Sequence, residues 1–329
     1  MNDYNDSFVN PNFHWFTGVI EDINDPLEMG RYKVRCFGYH SEIREQIQTD
    51  NLPWAHVMMP VTSASTSGIG HSATGLLAGS WVIGFFRDGS NAQDPVIMGS
   101  VPSMSETEPR PEIGFSDPTG TYPKKDTLNK PDTPRPARKD FNEDESYKRK
   151  KELQRQANDG ACWTLNNLGK INPEYPTNHV YKSESGHVLE FDDTSGSERI
   201  SLFHKAGSFY EITQDGDNHI VISGNNYEVV IKDKNVYVKG DLTMCVDGDV
   251  NTKVGGNYNL DVSGDYVANI SGQHNITASQ TNIFNDVYTD GLIEASVEVL
   301  AGTNQISLVK HTHTDTKGLG AGITTKPNP

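Results

Sequence analysis

From Asn235 to Gly272 the chain repeats itself every eight residues. NVYVKGDLTMCVDGDVNTKVGGNYNLDVSGDYVANISG places glycine at 240, 248, 256, 264 and 272. Two residues before each glycine stands a β-branched apolar residue (Val238, Val246, Val254, Val262, Ile270). The residue after it is Asp241, Asp249, Asn257, Asp265 or Gln273. The phase runs back to Ile222-Ser223-Gly224-Asn225 and to Gly216-Asp217, and Lys232 breaks it. Glycine is expected to supply a positive-φ turn, and the adjoining Asp or Asn to bond local backbone groups. Valine and isoleucine suit the inner face of a strand. A fixed short period predicts stacked strands and turns, a β-solenoid. One chain with one or two inward apolar residues per octad buries too little to offset an ordering entropy of roughly 1–2 kcal/mol per residue. Several chains wound about a common axis, most simply three, would each contribute a row of valines, closing a shared interior with no open edge. The calcium-binding nonapeptide roll is excluded, because its period is nine and its GGxGxD signature is absent.

The rest of the 329 residues divides by composition. Residues 1–104 read as short strands with turn punctuation: FTGVIEDI, RYKVRCFGY, WAHVMMPV, GSWVIGFF and PVIMGSV. In RYKVRCF, Tyr32, Val34 and Cys36 fall on one face, with Arg31, Lys33 and Arg35 on the other. Five such strands with no long helical pattern predict a small barrel of the oligonucleotide/oligosaccharide-binding (OB) type. Nucleic acid is not its expected partner: this region holds 5 Lys/Arg against 11 Asp/Glu, and the whole chain carries a net charge of −16. Trp54 and Trp81 are expected in the barrel core or at an interface. Residues 105–178 form a Pro- and charge-rich segment, expected as an extended linker or as an arm lying on something else. Eight of the 17 prolines lie between Val101 and Pro136, and FNEDESYKRKKELQRQAND predicts one short, solvated helix. Residues 179–310 open with hairpin strands, in which Ile200 and Leu202 share a face, and continue into the octads. Residues 311–329 form a tip segment. The N-terminus has no basic or apolar signal region, and no apolar run approaches the ~20 residues of a membrane span. Cys36, Cys162 and Cys245 are odd in number and far apart, which predicts neither a disulfide framework nor a zinc site.

Taken in order, DPLEMGRYKVRCFGYH, LPWAHVMMPVTSA, TGLLAGSWVIGFFRDG, QDPVIMGSVP and YPTNHVYKSESGHVLEFDDTSGSERI, followed by the Val-x-Gly octads, resemble the central spikes of contractile-tail phage baseplates. Type VI secretion spikes share the later segments. The resemblance implies an all-β protein: an N-terminal OB-fold barrel, an extended linker, and a C-terminal intertwined trimeric β-helix. It implies a homotrimeric needle that punctures the bacterial envelope when the sheath contracts. The expected location is the virion tail baseplate. Baseplate hub and tail tube proteins are the implied partners, with a tip-capping protein and the outer membrane as mechanical target. The alternatives are an effector-carrying injection spike and a tail lysozyme. T-even-like members insert a lysozyme between barrel and needle, whereas residues 103–179 here are too few and too polar for one. Glu143, Asp144 and Glu145 lie in a charge run rather than an apolar pocket, so no enzyme activity is expected. His187, Glu190, Asp192 and Asp193 are read as a structural turn.

His311 and His313, two apart in VKHTHTDTK, are the one candidate metal site. Three chains would bring six imidazoles to one axis, and imidazole suits iron, nickel or zinc. Related short spikes carry such a pair at the tip, so the resemblance implies an iron ion shared by three chains.

Overall fold

A computed structural model describes residues 13–159, 171–284 and 287–290, with the backbone at 300–301 and 306–307. The chain falls into two compact units, Met1–Val250 and Asn251–Pro329.

The first unit opens with a closed five-stranded barrel. Its strands are β1 (His14–Asp22), β2 (Tyr32–Cys36), β3 (Trp54–Val57), β4 (Trp81–Phe86) and β5 (Pro95–Ser100), in the order β1-β2-β3-β5-β4. The β3–β5 pair is parallel and every other pair antiparallel. Period-2 alternation explains the core: Phe16, Ile20, Tyr32, Val34, Cys36, Val82, Phe86 and Ile97 point inward. The other face of β2 is not solvated, as alternation alone would have it. Arg35 and Lys33 are buried as well. Arg35 grips Glu21 at 2.7 Å and donates to the carbonyl oxygens of Ser41 and Ile47. A buried guanidinium is tolerated because its donors are met by a carboxylate and two carbonyls.

Gly84 shows how tightly the wall is packed. It lies at a bulge between β4 and β5, and a Cβ there would meet Phe16 Cζ at 2.6 Å. Gly84→Ala is expected to lower barrel stability by about 1–3 kcal/mol in denaturant unfolding followed by tryptophan fluorescence.

The proline-rich segment is not an extended tether but a packed strap. Asp117, fully buried, accepts hydrogen bonds from the backbone of Thr119, Thr121 and Tyr122 and folds a turn against Gly79 of the barrel. Arg44 donates to the carbonyl oxygens of Pro111 and Ser116. The strap ends in α1 (Glu145–Asn158), capped by Asp144, which accepts from Ser146 N at 3.0 Å. The helix is less solvated than its composition suggests, since Tyr147, Lys150 and Leu153 are buried.

Then comes a five-stranded antiparallel meander: β6 (Asn178–Lys182), β7 (Val188–Asp192), β8 (Arg199–Phe203), β9 (Phe209–Ile212) and β10 (Asn218–Val221). α1 covers one of its faces. Leu153 packs with Val188, Phe203 and Phe209.

Beyond β10 the chain runs as extended stretches of six residues separated by two-residue bends. The bends fall at 223–224, 231–232, 239–240, 247–248, 255–256, 263–264 and 271–272. The bend at 231–232 keeps phase although Lys232 stands where glycine does elsewhere, so the period belongs to the backbone and survives a missing glycine. The expected positive φ is absent: none of the glycines at 240, 248, 256, 264 and 272 is left-handed. Nor, among the described residues beyond their immediate neighbours in the chain, does any atom lie within 4 Å of a Cβ built on them.

Candidate assembly interface

The meander is dressed inside out. The face under α1 sets a row of charged groups beside the apolar patch of Val188, Phe203 and Phe209, and the open face is apolar. Strand register lines up Tyr181, Leu189, Leu202, Tyr210 and Ile220 as one cross-strand row. A second row beside it joins Phe191, Ile200 and Ile212. These side chains lie open: Tyr181 is 68% exposed, Leu202 55%, Ile220 64% and Phe191 47%. A contiguous apolar sheet face of this extent, with no charge within the two rows' centres, has the character of an interaction surface.

The octads carry the same property forward. Ile222, Val230, Val238, Val246, Val254, Val262 and Ile270 are each 42–49% exposed. Odd-numbered apolar neighbours such as Tyr237 and Ile231 stand at 89% and 93%. One aliphatic residue per octad is therefore half-covered by its own chain and half-open, always in the same phase. Glycines that no φ and no contact within the chain require point the same way, because glycine is also used where another backbone approaches closely.

Beneath α1 lies a buried ionic cluster. Lys150 Nζ donates to Glu211 Oε2 at 2.9 Å and to Ser201 Oγ at 2.6 Å. Arg199 bonds Glu190 and Glu211 at 3.1 and 3.2 Å. The Tyr147 hydroxyl donates to Glu190 at 2.8 Å and accepts from Arg199. Burial pushes the Tyr147 phenol up, and the Glu190 charge adds to that. Burial alone would raise Glu211, but the Lys150 and Arg199 charges outweigh it and hold the carboxyl below its ordinary value. These carboxylates resemble an acid pair only in composition. Both are sealed from solvent and held by cations, so the cluster seats the helix rather than meeting a substrate.

The structure separates the residues the sequence grouped as one turn. Glu190 and Asp192 turn inward under α1, Asp193 is exposed, and His187 stacks on His204 with ring centroids 4.5 Å apart. Among the described residues no group of three or more His, Cys, Asp or Glu could hold a metal. His311 and His313 lie outside the described residues. Of the charge run, Asp144 is the helix cap, paired with Lys182, while Glu143 and Glu145 are exposed. Neither Trp54 nor Trp81 joins the barrel core: Trp54 lies between Arg31 and Lys33 on the outer wall, and Trp81 is 39% exposed. Cys36 is buried and free, its thiol pushed up by burial. Cys245 is disulfide-bonded, contrary to the expectation from spacing. A cleft of about 660 Å³ lies between barrel rim and strap, lined by Trp81, Tyr122, Arg138, Lys182 and Glu184. Its charged groups largely satisfy one another, Tyr122 with Glu184 and Lys182 with Asp144.

The open apolar face was the feature sequence reasoning missed. Its signal was present as the alternation LEFD, ISLF and FYEI, but alternation does not say which face a helix will take.

Comparison with known proteins places this architecture. Residues 38–179 match the family model of the Gp5 N-terminal OB domain, which here extends from the end of β2 through the strap to the start of the meander. The chain is 38% identical over 247 residues to Protein Gp5 of Vibrio phage KVP40, covering 65% of this chain and 58% of that protein. It is 42% identical over 122 residues to the pre-baseplate central spike protein Gp5 of Enterobacteria phage T4, covering 36% of this chain and 21% of that protein. The chain thus spans little more than half the length of one relative and about a fifth of the other. By these matches the chain is similar to T4-like baseplate central spike proteins, and its barrel and strap to their N-terminal OB domain.

Proposed function

We propose that this relative of the T4-like central spikes is itself a structural spike of a phage tail baseplate, built as a homotrimer. Its needle is driven through the bacterial envelope when the sheath contracts. The observation that carries the proposal is the apolar surface that begins on the open meander face and recurs once per octad with a constant phase. Two further copies of the same chain are the occupants that fit it. Only an identical chain repeats the eight-residue spacing, and only a closed ring of them leaves no strand edge free. The unexplained glycines are then the points where neighbouring backbones pass.

The needle segment, residues 209–310, holds 5 Lys/Arg against 14 Asp/Glu. That charge repels anionic envelope surfaces and keeps the needle from adhering on its way through. The barrel end joins the hub and tail tube, and a separate protein caps the tip. His311 and His313 from three chains supply imidazole nitrogens for an iron ion there, pinning the chains together beyond the octads.

Penetration in this proposal is mechanical. The segment where a lysozyme would stand is a strap whose buried residues face the barrel and the meander, and its carboxylates cap or pair. Turbidity of a peptidoglycan suspension is therefore expected to stay unchanged on adding the purified chain. Clearing would overturn the non-enzymatic reading.

A further inference from the structure

The strap is fastened at its two ends by different chemistry. On the barrel side Arg44 donates to two backbone carbonyls, those of Pro111 and Ser116, and to the buried Glu21 carboxylate at 3.1 Å, and Phe115 packs its ring on Phe37 with centroids 5.5 Å apart. The two carbonyl bonds and the ring contact do not titrate. On the meander side α1 sits on charge: Lys150 on Glu211, Tyr147 on Glu190, and the Asp144 cap on Lys182. Leu153 is the main aliphatic contact the helix makes there. Because desolvation offsets much of the attraction in a buried ion pair, and loss of one partner leaves an uncompensated buried charge, this seat is breakable.

We propose that α1 is an acid-releasable clasp, which lifts from the meander as pH falls while the strap's other end stays fastened to the barrel.

The groups facing Glu211 are Lys150 and Tyr147 from α1, Glu190 and Asp192 from β7, Arg199 from β8, and His219 directly opposite on β10. Those facing Asp144 are Lys182 from β6 and, on its own element, Ser146, Glu145 and Lys148. Burial alone would raise the pKa of Glu211 and of Asp144. Lys150 and Arg199 reverse that for Glu211, lowering it from 4.5, and hydrogen bonds from Lys182 and Ser146 do so for Asp144, lowering it from 3.8. A carboxyl depressed in the folded state stabilises fully above its ordinary value, and that contribution is lost as pH drops through the lowered one. Protonation then takes the Asp144 charge from Lys182 and the Glu211 charge from Lys150 and Arg199, leaving Glu190 and Asp192 to face both buried cations, and lifting the helix returns Lys150 to water. Asp117 is also depressed, burial opposing and the Thr119 hydroxyl and strap amides prevailing, but its partners all belong to its own turn, so its titration does not unfasten the barrel.

Hydrogen exchange of the full chain, corrected for intrinsic rates and compared at about pH 7 and about pH 3, tests this directly. Amides of 145–158 are expected to lose protection in acid while the barrel and β7–β9 keep theirs. Glu211→Gln should reproduce the loss at neutral pH, and Arg155→Gln, on the exposed face of the helix, should not. Retained protection of α1 in acid, or loss from helix, meander and barrel together in one step, would overturn the clasp. The pH comparison on the unaltered chain decides the matter even if Glu211→Gln fails to fold.

Discussion

Leu202→Asp is expected to convert a three-chain assembly into single chains. Leu202 occupies the centre of the row Tyr181–Leu189–Leu202–Tyr210–Ile220, on the face away from α1. In a threefold assembly one substitution removes three leucines from the shared interior. Each burial is worth about 1.5–3 kcal/mol. It also places three carboxylates there, and an unpaired buried charge costs several times more than a lost methyl group. The Leu202 side chain is 55% exposed in the single chain and lies outside the core clusters of the barrel and of the helix seat. Barrel fluorescence should therefore persist while the sedimenting mass falls threefold. An unchanged mass would mean that the open face is not where the chains meet.

Arg199→Met should have the largest effect on the stability of the single chain. Arg199 is 2% exposed at its side chain and bonds Glu190, Glu211 and Tyr147. Its own pKa is pushed up: burial opposes this, but the Glu190 and Glu211 carboxylates, with the hydrogen bond to Glu190, prevail. Methionine fills much of the same volume but leaves three carboxylates, Glu190, Asp192 and Glu211, facing the single charge of Lys150. Breaking one side of a buried ion cluster typically costs about 3–5 kcal/mol. The exposed Arg155–Glu152 pair on the same helix is a control, since exposed pairs contribute at most about 1 kcal/mol. Urea unfolding followed by circular dichroism reads both. A loss below about 1 kcal/mol for Arg199→Met would show that the cluster is solvated and the helix seat is something else.

Sequence and structure agree where a local rule decides the outcome. The alternation of Tyr32, Val34 and Cys36 with Lys33 and Arg35 assigns the inner face of β2 correctly, because a strand has only two faces. The OB barrel itself follows from five such strands. The octad period is likewise legible, since bends recur every eight residues even across Lys232. What local rules do not carry is which surface covers which. Arg35 and Lys33 read as solvent-facing until the 41–50 loop folds over them. Proline and charge in 105–178 read as an extended linker, yet Asp117 and Arg44 turn it into a packed strap through contacts 2 to 72 residues apart. The helix 145–158 has a polar composition because it packs on a charged sheet face, and no periodicity argument distinguishes that from solvation. The octad glycines teach the converse lesson. Their spacing announced a left-handed turn, and the backbone does not use one. In the proposed assembly they are the points where a neighbouring chain passes.

Sedimentation equilibrium of the purified full chain, with metal analysis on the same sample, tests the central claim most directly. Three chains per particle, with one iron for the three, is the predicted result. A stable, soluble single chain would contradict it, because the apolar meander face and the octad row would then stand open to water with no partner.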